Sequence, residues 1–291
     1  MTMVFYHGVR IKKCYNSPMY KSFYNLKENP FNVTADPSFY YSSTHHAEAF
    51  SHLLYGIQER KGIIVITGEI GTGKTTLCRT LLNQLDPTIK TAFILNPYFS
   101  ELQLLQLIVK DLGLSGPFKN KLAIVEALNA YLLKEAHLGH NVALIIDEAQ
   151  NLNVTQLEQV RLLSNLETDK FKLLQIILVG QPELMDKLKL PTLRQLFQRV
   201  SVRYHILPLE KSEMKKYIYH RLQLACQNHH LKTTVHFTPE ALEKIYTFTQ
   251  GIPRLINILC ERALLAGYVA ETYSIDEHII HKSSREVVSI Q

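Results

Sequence analysis

Between Gly68 and Thr75 the chain reads Gly-Glu-Ile-Gly-Thr-Gly-Lys-Thr, matching G-x-x-x-x-G-K-T at every fixed position. Residues of these types in this order suit the holding of a polyphosphate. Gly68, Gly71 and Gly73, with Glu69, Ile70 and Thr72 between them, let backbone N–H groups wrap phosphate oxygens at a helix N-terminus. Lys74 would neutralise the β- and γ-phosphates, and the Thr75 hydroxyl would ligate Mg²⁺. The cradle extends to Thr76, which stands where a dinucleotide-binding G-x-G-x-x-G loop would carry its third glycine; that reading is set aside.

A second constellation is the apolar run Val142–Ile146 followed by Asp147 and Glu148. An aspartate at the end of a buried strand can hold the Mg²⁺ shell. Glu148, one residue on, can polarise a water towards the γ-phosphate as general base. Alone, two acids ending a strand could simply be solvated. Downstream of a complete phosphate loop they point to ATP and Mg²⁺, and the adjacent base argues for hydrolysis over mere binding. Gln181, in Gly180-Gln181-Pro182, lies where parallel strands present side chains to a ligand crevice; it could position the attacking water, sense the γ-phosphate, or simply form a turn before proline. Arg194 and Arg199 flank a short helix from which an arginine could reach a neighbouring subunit's phosphate, a solvated face being the plainer alternative. Arg254, in Gly251-Ile-Pro253-Arg254, is placed to reach over bound nucleotide or to remain a surface arginine.

These residues need a parallel sheet to bring them together. Short apolar runs at Ile63–Thr67, Thr91–Leu95, Val142–Ile146, Leu173–Val179 and Val202–Leu207 read as strands. Helical patterns alternate with them: Ser42–Arg60, Thr76–Leu85, a capping-box helix from Ser100 to Leu112, Lys121–Ala136, Thr155–Leu166 and a short piece at Leu193–Gln198. Nearly continuous apolar strands between helices indicate a sheet covered on both faces. After Pro208 the patterns are helical only: Ser212–Gln227, Pro239–Thr249 and Pro253–Ala270. The expected organisation is a non-essential extension 1–18, an α/β core 19–209 and an all-helical lid 210–291.

Bulk properties narrow the remaining classes. At 291 residues and 46% hydrophobic, the chain can build its core without disulfide staples. No uncharged apolar run approaches the roughly 18 residues of a membrane span, so no transmembrane segment is expected. The net charge of +6 has no run of five or six like charges, which makes nucleic acid the less favoured partner. Cys14, Cys78, Cys226 and Cys260 show no C-x-x-C spacing and read as reduced thiols of a cytoplasmic protein. The thirteen histidines form no zinc-ligand pattern, so no structural metal is expected.

Taken together, Gly68–Thr75, Asp147–Glu148, Gly180-Gln181-Pro182-Glu183-Leu184, Leu193-Arg-Gln-Leu with Gln198-Arg199-Val200, and Gly251-Ile-Pro-Arg-Leu-Ile-Asn257 resemble the AAA+ family of P-loop NTPases. More narrowly, with Met19–Leu26, Asn29-Pro30-Phe31, His46 to Gly56 and Leu162–Thr168, the chain is similar to the ATPase domain of the general secretion pathway protein A family of type II secretion. The likeness runs from about Met19 to Asp276. It implies an AAA+ core with a helical lid, Gln181 as sensor 1, Arg254 as sensor 2, Arg199 as arginine finger with Arg194 second, and a homo-oligomer that can close as a ring. It also implies an ATPase in the cytoplasm, at the inner face of the bacterial inner membrane, with a secretion or pilus partner there. Members of that family carry a membrane span and a periplasmic peptidoglycan-binding domain after the ATPase. The present sequence ends at Gln291 without them, so the expectation is the cytoplasmic part of a longer protein or a stand-alone paralogue beside a type IV pilus-like system. The alternative is a DNA-associated AAA+ ATPase of the transposition or replication type.

Overall fold

The computed structural model describes residues 20–116, 118, 120–226 and 234–288. The extension 1–18 and the end of the helix expected to reach Gln227 lie outside the described residues. The chain forms two compact units: one of Thr34–Glu210 with Ile252–Arg254, the other of Lys211–Gly251, Leu255 onward and the segment up to Val33.

In the first unit, α1 (Thr44–Gln58) precedes β1 (Ile63–Gly68) and α2 (Lys74–Gln84). Next come β2 (Ile89–Ile94), α3 (Glu101–Asp111), α4 (Lys121–His137) and β3 (Asn141–Ile146). The unit continues through α5 (Val154–Leu163), β4 (Gln175–Gly180), α6 (Pro182–Leu188), α7 (Arg194–Gln198) and β5 (Val200–Ile206). The strands form one parallel sheet in the order β2-β3-β4-β1-β5. Every residue of β1, β3 and β4 is buried, as expected for central strands covered on both faces, whereas β5 at the edge alternates. The pleat divides their side chains between two cores. Ile63, Val65, Leu144 and Leu178 meet Leu105, Leu128 and Leu157 of α3, α4 and α5. Ile64, Ile66, Ile145 and Val179 meet Leu53 and Leu77 of α1 and α2. Each such fully buried side chain contributes about 1.5–3 kcal/mol, and Ile145→Ala would cost about 2–5 kcal/mol by leaving a cavity. The sheet order sets the site: the tip of β1 lies beside that of β4, and that of β4 beside β3.

Two features of this unit differ from the sequence reading. Gly180-Gln181-Pro182 is not only a turn, because Pro182 occupies a first-turn position of α6, where its missing N–H costs nothing. The ends of the second, fourth and fifth strands also shift by one or two residues.

The second unit contains α8 (Lys211–Ala225), β6 (His236–Phe237), α9 (Pro239–Thr249), most of α10 (Pro253–Val269), β7 (Ser274–Ile275) and α11 (Glu277–Val288). The expectation of an all-helical unit is corrected by the short parallel pair β6–β7. Helix α11 was also unforeseen; Ile280, Ser283 and Val287 bury one face of it. Residues 20–33 belong to this unit rather than to the α/β core expected from residue 19 onward. The reason lies in their polar atoms. The Tyr20 hydroxyl donates to Glu261 Oε1 at 2.6 Å, and the Tyr24 hydroxyl to the carbonyls of Leu264 and Thr272, each at 3.1 Å. Lys27 N–H donates to Ala225 O at 2.8 Å, and the Arg221 guanidinium donates to the carbonyls of Pro30 and Asn32. Gly267 makes room for this strap: a Cβ there would stand 2.6 Å from the Tyr24 hydroxyl oxygen. Among the described residues no helix is long and apolar enough to cross a membrane.

Candidate functional site

The loop between β1 and α2 is shaped by glycine. Gly71 and Gly73 sit at φ +82° and +94°, where a side chain is strained. A Cβ at Gly71 would also come within 2.6 Å of Arg254 Cβ. Gly73 is the N-cap of α2 and offers no side-chain acceptor, so the first N–H groups of that helix are left for an anion. These are features a phosphate cradle requires.

Lys74 reaches back over the loop, its Nζ donating to Gly68 O at 2.8 Å and Glu69 O at 2.9 Å. Burial lowers its pKa, opposed by the negative charges of Glu148, Asp147 and Glu69. The Thr75 hydroxyl donates to Asp147 Oδ2 at 2.5 Å, and the Glu148 N–H donates to Asp147 Oδ1 at 2.9 Å. Burial raises the Asp147 pKa, while the Thr75 and Glu148 hydrogen bonds lower it. A buried carboxylate touching a hydroxyl, beside an ammonium that makes only carbonyl bonds, is a donor set that fits Mg²⁺ with a phosphate better than it fits itself.

Glu148 follows β3 in the left-handed region at φ 52°, which turns its side chain out of the strand line. Its Oε2 accepts from Gln150 Nε2 at 2.6 Å, and Gln150 Oε1 accepts from the Gln181 N–H at 3.0 Å. The structure thus places Asp147, Glu148 and Gln181 at neighbouring strand tips. Arg254 joins the same unit through its N–H, which donates to Gly71 O at 3.1 Å, and its side chain is exposed. Arg199 lies at the C-cap of α7, its Nη1 donating to Ser164 Oγ at 3.3 Å, whereas Arg194 at the start of α7 is exposed.

Two residues of this site were not singled out from the sequence. Gln150 is one. The other is His46, near the start of α1, whose Nε2 lies 2.8 Å from Thr72 O. A carbonyl can only accept, so Nε2 carries the hydrogen and Nδ1 accepts from the Ser43 hydroxyl at 2.7 Å. In a planar trans peptide the Gly73 N–H then points away from His46. The sequence around His46 carries no hint of this, because its partner is 26 residues distant.

Comparison with known proteins agrees with the geometry. The AAA domain family matches residues 57–188. General secretion pathway protein A of Aeromonas hydrophila is 42% identical over 274 residues, which cover 94% of this chain. The chain spans about half, 49%, of that relative. Among solved structures, the Aeropyrum pernix ORC2 protein in ADPNP–ADP complexes superposes with a TM-score of 0.65 at 18% identity, covering 90% of this chain and 72% of that one. Drosophila ORC bound to DNA gives 0.64 at 16% identity over 96% of this chain and 70% of its own. The Thermotoga maritima RuvB Holliday junction branch migration motor gives 0.55 at 18% over 84% and 69%. Likenesses at that identity speak to the fold alone. The parallel sheet, the glycine cradle and these matches give the chain the P-loop NTPase fold of AAA proteins and make it similar to general secretion pathway protein A over 94% of its length.

Proposed function

We propose that the chain binds ATP with Mg²⁺ and hydrolyses it, as one subunit of a homo-oligomer that serves secretion or pilus-like assembly. The observation that carries this reading is the 2.5 Å hydrogen bond between Thr75 and Asp147 beside the buried Lys74. Lys74 exchanges its loop carbonyls for the β- and γ-phosphates, a swap that relieves the cost of a buried ammonium. Thr75 and Asp147, now bonded to each other, would hold the metal. Mg²⁺ supplies charge neutralisation across the phosphates when it is bound. Glu148 accepts the proton of the attacking water, and Gln181 orients that water or the γ-phosphate. Arg254 acts within its own chain, while Arg199, with Arg194 second, completes a neighbour's site. The secretion role follows the relative's name, a place at the inner face of the bacterial inner membrane follows the family resemblance of the sequence, and both are part of the proposal.

The test mixes two variants. Lys74→Ala offers a finger but binds no ATP; Arg199→Ala binds ATP but offers no finger. Each alone should be inactive, since a finger in trans is worth about 10³–10⁵ in rate. Co-assembled mixtures should regain part of the Mg²⁺-dependent phosphate release. No regain in mixtures shown by light scattering to co-assemble would contradict the oligomeric mechanism and turn attention to Arg194.

A further inference from the structure

The mechanism above leaves Gln150 unused, yet its side chain joins two of the strand tips. Its Nε2 donates to Glu148 Oε2 at 2.6 Å, and its Oε1 accepts from the Gln181 N–H at 3.0 Å. Chemistry fixes the amide's orientation: an N–H can only donate, so Oε1 faces Gln181, and the amide nitrogen is left to face a carboxylate that accepts.

The surroundings are built for this link. A Cβ at Gly180 would stand 2.7 Å from Gln150 Oε1 and 3.3 Å from its backbone nitrogen, so the amide occupies the space an alanine there would need. The backbone of Gln150 is pinned as well, because Lys187 Nζ donates to the carbonyls of Gln150 and Leu152 at 2.5 and 2.8 Å. The short helical turn Ala149–Asn151 brings the Gln150 side chain back to Glu148, whose left-handed backbone turns towards it.

We infer that Gln150 is a positioning residue: it ties one oxygen of the Glu148 carboxylate to the tip of β4, leaving the other oxygen to take a proton from water. This rests on the reading of Glu148 as general base. Glutamine suits the task because the link needs a donor at one end and an acceptor at the other. Lysine lacks the acceptor, and glutamate lacks the donor. The link also makes the orientation of Glu148 depend on where the Gln181 backbone stands.

The experiment compares Gln150→Leu, Gln150→Glu and Gly180→Ala with the parent, measuring kcat, KM and equilibrium ATP affinity. Gln150→Leu removes both bonds, and Gln150→Glu keeps the acceptor for Gln181 but loses the donor to Glu148. Gly180→Ala displaces the amide without removing a polar group. All three should lower kcat by about tenfold or more, a part of what a general base contributes, with ATP affinity within about twofold. The Gln150→Leu change should add nothing in a Glu148→Gln background, and Gly180→Ala should add nothing to Gln150→Ala. If Gln150→Leu fails to fold, Gln150→Glu carries the same comparison. Parental kcat in both glutamine variants, a rise in kcat, or an equal further loss on top of Glu148→Gln would overturn the inference. Glu148→Gln turning over like the parent would instead overturn the reading of the base, so the two failures are distinguishable.

Discussion

Lys74 in the α/β unit and Arg221 in the helical unit are each only 6% exposed, and each donates to backbone carbonyls. Their neighbourhoods differ. Lys74 bonds two carbonyls of its own glycine loop, with the carboxylates of Asp147 and Glu148 close enough to shift its pKa. Arg221 bonds the carbonyls of Pro30 and Asn32 and the Tyr217 hydroxyl, which in turn donates to Asn257 at 2.8 Å. One cation keeps bonds it can exchange for a ligand; the other fastens a strap from the start of the described chain onto α8. A buried charge therefore does not mark a functional site by itself. What marks it is whether its partners are replaceable.

Substitution of Lys74 separates the two cations most widely. Lys74→Ala should abolish ATP binding or cut turnover by about 10²–10³, measured as phosphate release. The same substitution should lower the melting temperature at pH 7 by less than Arg221→Ala does, because the two loop carbonyls left without a donor are offset by relief of a buried charge. The folded-state pKa of Lys74 lies below its free value, so the charged lysine opposes folding at neutral pH. That opposition fades as pH rises from the lowered pKa towards the ordinary lysine value. A loss of melting temperature as large as that of Arg221→Ala would place Lys74 with the structural cations.

Arg221→Ala should do the reverse. Leaving two strap carbonyls without their donor should cost about 2–4 kcal/mol in denaturant unfolding of the helical unit. ATP affinity per folded molecule should hold; if it is lost without a change in stability, the contrast fails. Tyr24→Phe sharpens the point at smaller scale, removing one hydroxyl from two carbonyls for about 1 kcal/mol. Smallest of all, deletion of residues 1–18 should leave both stability and turnover within about 0.5 kcal/mol of the parent, checked by thermal melts and phosphate release.

What could be read from the sequence follows the same division. The phosphate loop and the acids after β3 were legible because each lies in one contiguous stretch beside an unbroken apolar strand. The three central strands were legible for the same reason, and the capping box of α3, Ser100 with Gln103, carried its own local signal. The strap was not legible, since Tyr20 finds its partner 241 positions away, at Glu261. Gln150 was hidden differently. It stands two residues after Glu148, but its meaning depends on Gln181, brought beside it only by the pairing of β3 with β4. The short strands β6 and β7 have two residues each, too few for a period to show. Helix α6 was masked by a proline that reads equally as a turn.

In the proposed mechanism Glu148 is the base of an ATP site whose binding half is separate from it. The direct measurement is ATP affinity and phosphate release, taken in Mg²⁺ on the same preparations of the parent chain and Glu148→Gln. The isosteric amide keeps the shape of the site and cannot accept a proton at neutral pH. Glu148→Gln should keep an affinity within about threefold of the parent and show a turnover lower by about 10² or more. Parental turnover in Glu148→Gln, or no ATP binding by the parent, would contradict it.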